Sequence, residues 1–159
     1  MKIFVVNGYS ETTMDDIALS AGLSKGAVYH HFSSKRKLFL ALIDFWEESF
    51  LPKFYQRDYK NLSASKVLKD LAAEIINIFN NKKFIFLAEL EIWSLANRDK
   101  EVRIRTKILY NKMLYHLESI FKNAAENDEY KNVDPRMAAM AVMTSMQGII
   151  WFSIFEHNS

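Results

Sequence analysis

Six basic or imidazole side chains stand in a stretch that contains no acid. From Ile17 to Ile43 there is neither Asp nor Glu, while Lys25, His30, His31, Lys35, Arg36 and Lys37 all fall there. Asp15, Asp16, Asp44, Glu47 and Glu48 lie just outside it. The formal net charge is only +2, so the field is local, and a local positive field selects a phosphate backbone. Lys and His donate to phosphate oxygens or to guanine acceptors, Ala27 offers a methyl to thymine, and Gly26 lets the backbone come close. Metal chemistry fits poorly. His30 and His31 are neighbours, about 100° apart on a helix, and no His pair has the i, i+4 spacing of a helical zinc site. His116 with Glu118 and Glu89 with Glu91 are too close in sequence to share a face. No Gly-rich phosphate loop, nucleophile elbow or paired metal ligands occur, so neither an enzyme nor a cofactor is expected.

The elements that must position these groups are legible from cap residues. Thr13 followed by Asp16 forms a capping-box start, with Asp in the place usually taken by Glu or Gln. Ile17 and Ala18 face inward. Gly22 marks the helix end, where a left-handed residue is needed. Ser24 caps a second helix, Lys25 to His31, and Ser34 a third. Val28 and Phe32 belong to the core of the unit. Two short helices, a turn with Gly and an exposed second helix make a helix-turn-helix.

The run TTMDDIALSAGLSKGAVYHHFSSKRKLFLAL resembles the DNA-binding signature of the TetR family of bacterial transcriptional regulators. The marks are Gly8-Tyr9, Thr12-Thr13, Asp16-Ile17-Ala18, Ala21 to Gly26, Val28 to Phe32 and Ser34-Lys35. The resemblance covers about the first third of the chain. It implies that Lys25, Gly26, Ala27 and His30 read base edges, while Thr13, Tyr29, His31 and Lys35 grip phosphates. Against that resemblance the first helix, Met1 to Asn7 with a stop at Gly8, is expected to be shortened. The last helix of the family is expected to be missing.

Composition agrees with an all-α fold. Four Gly and two Pro in 159 residues argue against a loop-rich or all-β chain. Cys is absent, which excludes disulfides and thiolate metal sites. No apolar run approaches a membrane span or a signal peptide, so a cytoplasmic protein without a membrane partner is expected. After Ser34 a helix from Lys35 to Phe50 presents Leu38, Leu42, Phe45 and Trp46 on one side, and Pro52 ends or kinks it. A boundary near Phe50 to Ser63 divides residues 1–50, the DNA-binding domain, from residues 51–159, a helical ligand-binding and dimerisation domain. Phe54, Tyr55 and Tyr59 at the boundary want to pack.

Ser65 to Asn80 is amphipathic, with Val67, Leu68, Leu71, Ala72, Ile75, Ile76 and Phe79 at helical spacing, and Asn80-Asn81 is read as a turn. Lys83 to Asn97 is apolar around most of its circumference and so buried on most sides. Asp99 to Asn127 is the longest helix, with Ile104, Ile108, Leu109, Met113, Leu117, Ile120, Phe121 and Ala124 inward. Asp134-Pro135 opens a last helix that reaches about Phe155.

Twelve Phe, seven Tyr and three Trp suit either a dense core or a hydrophobic cavity. The ligand-binding candidates are Phe79, Phe86, Trp93, Tyr110, Met113, Trp151 and Phe152, with Glu89, Asn111 and Gln147 as polar anchors. Ala138, Ala141, Ser145 and Gly148 form a small-residue stripe suited to a homodimer seam, which a two-fold DNA reader needs. The leading expectation is a homodimeric repressor that binds a double-stranded DNA operator and is released by a hydrophobic small-molecule effector. The alternative is a helix-turn-helix regulator with no small effector, controlled by abundance or a protein partner.

Overall fold

The structure is a computed structural model that describes residues 1–55, 62–82 and 84–152, with only the backbone described at 50–55, 82 and 150. Every described element is an α-helix: α1 Lys2–Glu11, α2 Met14–Ala21, α3 Lys25–His31, α4 Lys35–Tyr55, α5 Ala64–Lys82, α6 Phe84–Ala96, α7 Lys100–Glu126 and α8 Pro135–Phe152. None of them is long and apolar enough to cross a membrane.

Short polar side chains start α2, α3, α4, α5, α7 and α8, as an amide donor left over in the first turn requires. Thr13 and Asp16 complete a reciprocal capping box at α2. The Ser24, Ser34 and Ser63 hydroxyls each accept an amide hydrogen bond of 3.2 Å, from Ala27, Lys37 and Lys66. Asp99 accepts from the Glu101 and Val102 amides at the head of α7. Asp134 accepts from the Met137 amide at 2.7 Å ahead of α8.

The chain forms two compact units. Met1–Pro52 and Lys83–Lys107 make the first; Lys53–Lys82 and Ile108–Ser159 make the second. In the first, α1 lies against α6 and α2 against α3. Its centre is aromatic. Phe4 stacks on Tyr9 at 5.8 Å between ring centroids, and Phe39 meets both rings edge-on, at 5.1 Å and 4.9 Å. Phe4, Phe39 and Ile43 are almost fully buried. In the second unit Ala64, Val67 and Leu71 of α5 join Leu114, Leu117, Ile120, Phe121 and Ala124 of α7 and Ala139 of α8 in one core. Leu68, Tyr110, Ala138, Val142 and Met143 cover it.

The stop expected at Gly8 is present as a break between two helical stretches of α1. The backbone there turns to φ 75°, ψ 160°, and helix resumes to Glu11. Several expected boundaries are corrected. α4 runs past Pro52 to Tyr55, and α5 takes in Asn80 and Asn81, with Asn81 Nδ2 donating to the Asn77 carbonyl at 2.8 Å. Phe45 is exposed. The buried arc of α4 runs through Phe39, Ile43 and Trp46, and Phe45 precedes Trp46 by one residue, about 100° of turn. Ala72 and Ile76 are likewise exposed on α5. On α7, Ile104 and Ile108 point outward while Val102, Thr106 and Leu109 are buried, because the inward stripe begins two residues earlier than expected. Phe155 and Tyr59, and the side chains of Phe54 and Tyr55, lie outside the described residues.

Candidate nucleic-acid interface

α3 is held by few of its own residues. Of its seven, only Val28 is buried and only Ala27 is half-buried; Lys25, Gly26, Tyr29, His30 and His31 are exposed. Phe32, just past its end, is half-buried. A seven-residue helix is too short to be stable alone in water. Here the Ser24 cap, Val28 and the neighbouring α2 hold it, and the remaining faces stay free for a partner. The turn before it depends on Gly22, at φ 67°, ψ 28°, whose amide returns to the Ala18 and Leu19 carbonyls. Ile17 and Ala18 are buried, fixing the support helix.

The polar groups of the surface are already engaged in part. Lys25 Nζ lies 2.8 Å from Asp15 Oδ1, and the carboxylate beside it holds the ammonium's pKa above its ordinary value. The His30 and His31 rings meet edge-on at 5.2 Å. Thr13 Oγ1 and the Thr13 amide donate to Asp16 Oδ2 at 2.6 Å and 2.8 Å, and these two bonds hold the Asp16 carboxyl below its usual range, while Oγ1 accepts from the Asp16 amide. Lys35 Nζ donates to the Tyr9 and Ser10 carbonyls at 2.7 Å and 2.9 Å. Thr13, Lys25, Gly26, Ala27, Tyr29, His30 and His31 therefore cluster at the α2 start and along α3, whereas the Lys35 ammonium is turned toward the end of α1.

Three long-range polar contacts of this unit had no local signal in the sequence. Glu91 of α6 accepts a 3.1 Å hydrogen bond from the Tyr9 amide, just after the break at Gly8. Arg36 grips Asp99 with two N–H groups at 2.6 Å and 2.9 Å. Arg105 pairs with Asp44. Each joins residues more than 60 positions apart, which no spacing rule can reach.

The ligand candidates divide between the units. Phe86 and Glu89 are buried and Trp93 is half-buried on α6, where Trp93 Nε1 donates to Glu89 Oε1 at 3.1 Å. Phe79, Tyr110, Met113 and Gln147 are half-buried in the second unit, while Asn111, Trp151 and Phe152 are exposed. Of the small-residue stripe on α8, Ala141 and Ser145 are exposed and Ala138 and Gly148 half-buried, beside exposed Met137, Met140 and Ile149.

Helices throughout the described residues, with an exposed, capped second helix in a basic stretch of sequence, define the helix-turn-helix class. The model of bacterial regulatory proteins, tetR family, matches residues 1–42, so the segment that carries the helix-turn-helix is of that family's type. It is 27% identical over 121 residues to the transcriptional regulator YuxN of Bacillus subtilis, covering 76% of this chain and 41% of that protein. It is 24% identical over 152 residues to the transcriptional regulator QacR of Staphylococcus aureus, covering 96% of this chain and 80% of that one. The chain spans 41% and 50% of the length of YuxN and of a second Bacillus subtilis regulator, YerO. Among solved structures, the TetR family regulator PfmR of Thermus thermophilus is similar with a TM-score of 0.77 at 25% identity, over 95% of this chain and 81% of that one. A TetR regulator of Haloarcula marismortui shares the fold with a TM-score of 0.83 at 20% identity, over 96% and 80%.

Proposed function

We propose that the protein is a DNA-binding transcriptional repressor that acts as a homodimer and leaves its operator when a hydrophobic small molecule binds. The observation that carries the DNA-binding part is the exposure of five of the seven α3 residues, within a stretch of sequence that has no acid from Ile17 to Ile43. In this reading Lys25, Gly26, Ala27 and His30 meet base edges, and Thr13, Tyr29 and His31 meet phosphates, as helix N-termini and short polar donors do in grooved duplexes. Residues 1–50 carry DNA recognition. Residues 51–159 carry effector recognition and dimerisation, with the α8 stripe at the seam.

Release requires that the effector bind the DNA-incompetent state more tightly than the competent one; equal affinity shifts nothing. The test is retention of fragments from a genomic library on the immobilised protein, followed by titration of an enriched fragment in the presence of hydrophobic compounds. Specific retention, with saturable quenching of Trp93 and Trp151 fluorescence at the compound concentrations that release the DNA, is the expected result. Retention with no compound able to release the fragment points to a regulator without a small effector.

A further inference from the structure

Lys35 is the first residue of α4, and its ammonium turns back across the whole helix-turn-helix. It donates to the Tyr9 carbonyl at 2.7 Å and to the Ser10 carbonyl at 2.9 Å, 26 and 25 residues earlier in the chain. It also sits 4.6 Å from the centre of the Tyr9 ring. Those carbonyls belong to the last turn of α1, where a helix leaves its acceptors without amide partners and favours a cation. α2 and α3 lie wholly between Ser10 and Lys35. One side chain thus ties the entry of the DNA-reading segment to its exit.

We propose that Lys35 is a positioning residue that clasps the two ends of the helix-turn-helix. Three further observations support a built joint. The Tyr9 ring under the ammonium is itself fixed against Phe4 and Phe39. The Tyr9 amide is held by Glu91 at 3.1 Å. Thr12, which links α1 to α2, is fully buried and donates its hydroxyl to the Gly8 carbonyl at 2.6 Å. To reach a phosphate, the ammonium must abandon two short hydrogen bonds and the face of a ring, and leave two helix-end carbonyls behind. Lys25 differs: its partner is a single exposed carboxylate. Closing a loop of this length removes chain freedom that the reader helix otherwise keeps, so the clasp acts on DNA through the placement of Thr13 and α3.

The inference rests on the DNA-binding reading only in its second arm. The first arm uses no DNA: thermal unfolding of Lys35→Met, which keeps the stem and loses the donors, of Lys35→Gln, which keeps a donor without charge, and of Lys37→Ala as an exposed control. A clasp lowers the melting temperature of Lys35→Met by several degrees, lets Lys35→Gln recover part of it and leaves Lys37→Ala near the parent. Equal melting temperatures for all four proteins overturn the proposal. The second arm measures the affinity of the same variants for a fluorescein-labelled random 30-base-pair duplex over a range of salt. A clasp displaces the line of log affinity against log salt without changing its slope, less for Lys35→Gln than for Lys35→Met. A phosphate contact alone instead makes the slope shallower by about one for each protein copy bound, in Lys35→Gln as much as in Lys35→Met, with melting temperatures unchanged, and that result overturns the proposal. If the parent binds no duplex at all, the DNA-binding reading fails while the first arm still decides the clasp.

Discussion

The ammonium of Lys25, the first residue of α3, is 2.8 Å from the carboxylate of Asp15 in the first turn of α2. Any DNA that takes a hydrogen bond from Lys25 must compete with that carboxylate and approach its negative charge. Both side chains are about 60% exposed, so the pair itself contributes little to stability. Its weight falls on binding. Asp15→Asn is expected to raise affinity for duplex DNA roughly two- to fivefold, the range of an exposed ion pair, and to narrow the gap between operator and random sequence. Lys25→Ala is expected to weaken binding, to relax sequence preference and to make the salt slope shallower by about one per protein copy. Fluorescence anisotropy on both duplex types over a salt series checks both. Parental binding by Lys25→Ala sinks the placement of α3 against DNA.

The two glycines with positive φ make a graded prediction. Among the described residues, an added Cβ would meet nothing within 4 Å at either Gly8 or Gly22, so the cost is conformational. Gly22, at φ 67° and ψ 28°, sits in the left-handed region, where a side chain costs roughly 1–2 kcal/mol. Gly8, at φ 75° and ψ 160°, sits where almost only glycine is found, at roughly 1–3 kcal/mol. Gly8→Ala is expected to lower the urea midpoint more than Gly22→Ala, and Gly22→Asn less than either. The reverse order argues against the break in α1.

The Arg36–Asp99 pair sets a pH dependence. The Arg36 guanidinium, with the Glu101 and Val102 amides, holds the Asp99 carboxyl down to about 2. A carboxylate with a lowered folded-state pKa stabilises above its ordinary value, and that contribution is lost as pH falls from about 4 through about 2. Asp99→Asn keeps an acceptor oxygen for the head of α7 but removes the charge. It is expected to cost about 0.5–1 kcal/mol at neutral pH and to flatten the decline of stability across that acid window. Urea unfolding between pH 7 and pH 2 tests this; an unchanged acid profile in the variant removes Asp99 as its source.

Gly148 on α8 separates packing within the chain from packing between chains. Among the described residues, a Cβ there would meet only the exposed Phe152 ring, at 3.9 Å. Gly148→Leu is therefore expected to keep the parental helix content and melting temperature at low protein concentration. If α8 forms the dimer seam, the same change overpacks two close backbones and weakens association by ~1–3 kcal/mol. Sedimentation equilibrium reads the difference. A parent that is monomeric at micromolar concentration and still binds DNA removes the seam altogether.

The sequence by itself determined the helix-turn-helix. Thr13, Asp16, Gly22, Ser24 and Ser34 act within four residues of where they stand, through caps and a left-handed turn, so their spacing specified α2, α3 and the start of α4 to the residue. Asp99 and Asp134 marked later starts for the same reason. Where only burial chose between faces, periodicity fell short. Phe45, Ile104 and Ile108 are apolar and helical yet exposed, because the direction of a helix face is set by what packs on it. Tertiary structure alone decided that residues 83–107 belong with the N-terminal helices, that Glu91 holds the Tyr9 amide and that Lys35 reaches back to α1. Those bonds join residues 25 to 82 positions apart. A lysine's type fixes its charge, but which carbonyls, carboxylates or phosphates it serves depends on what folding brings within about 3 Å of it.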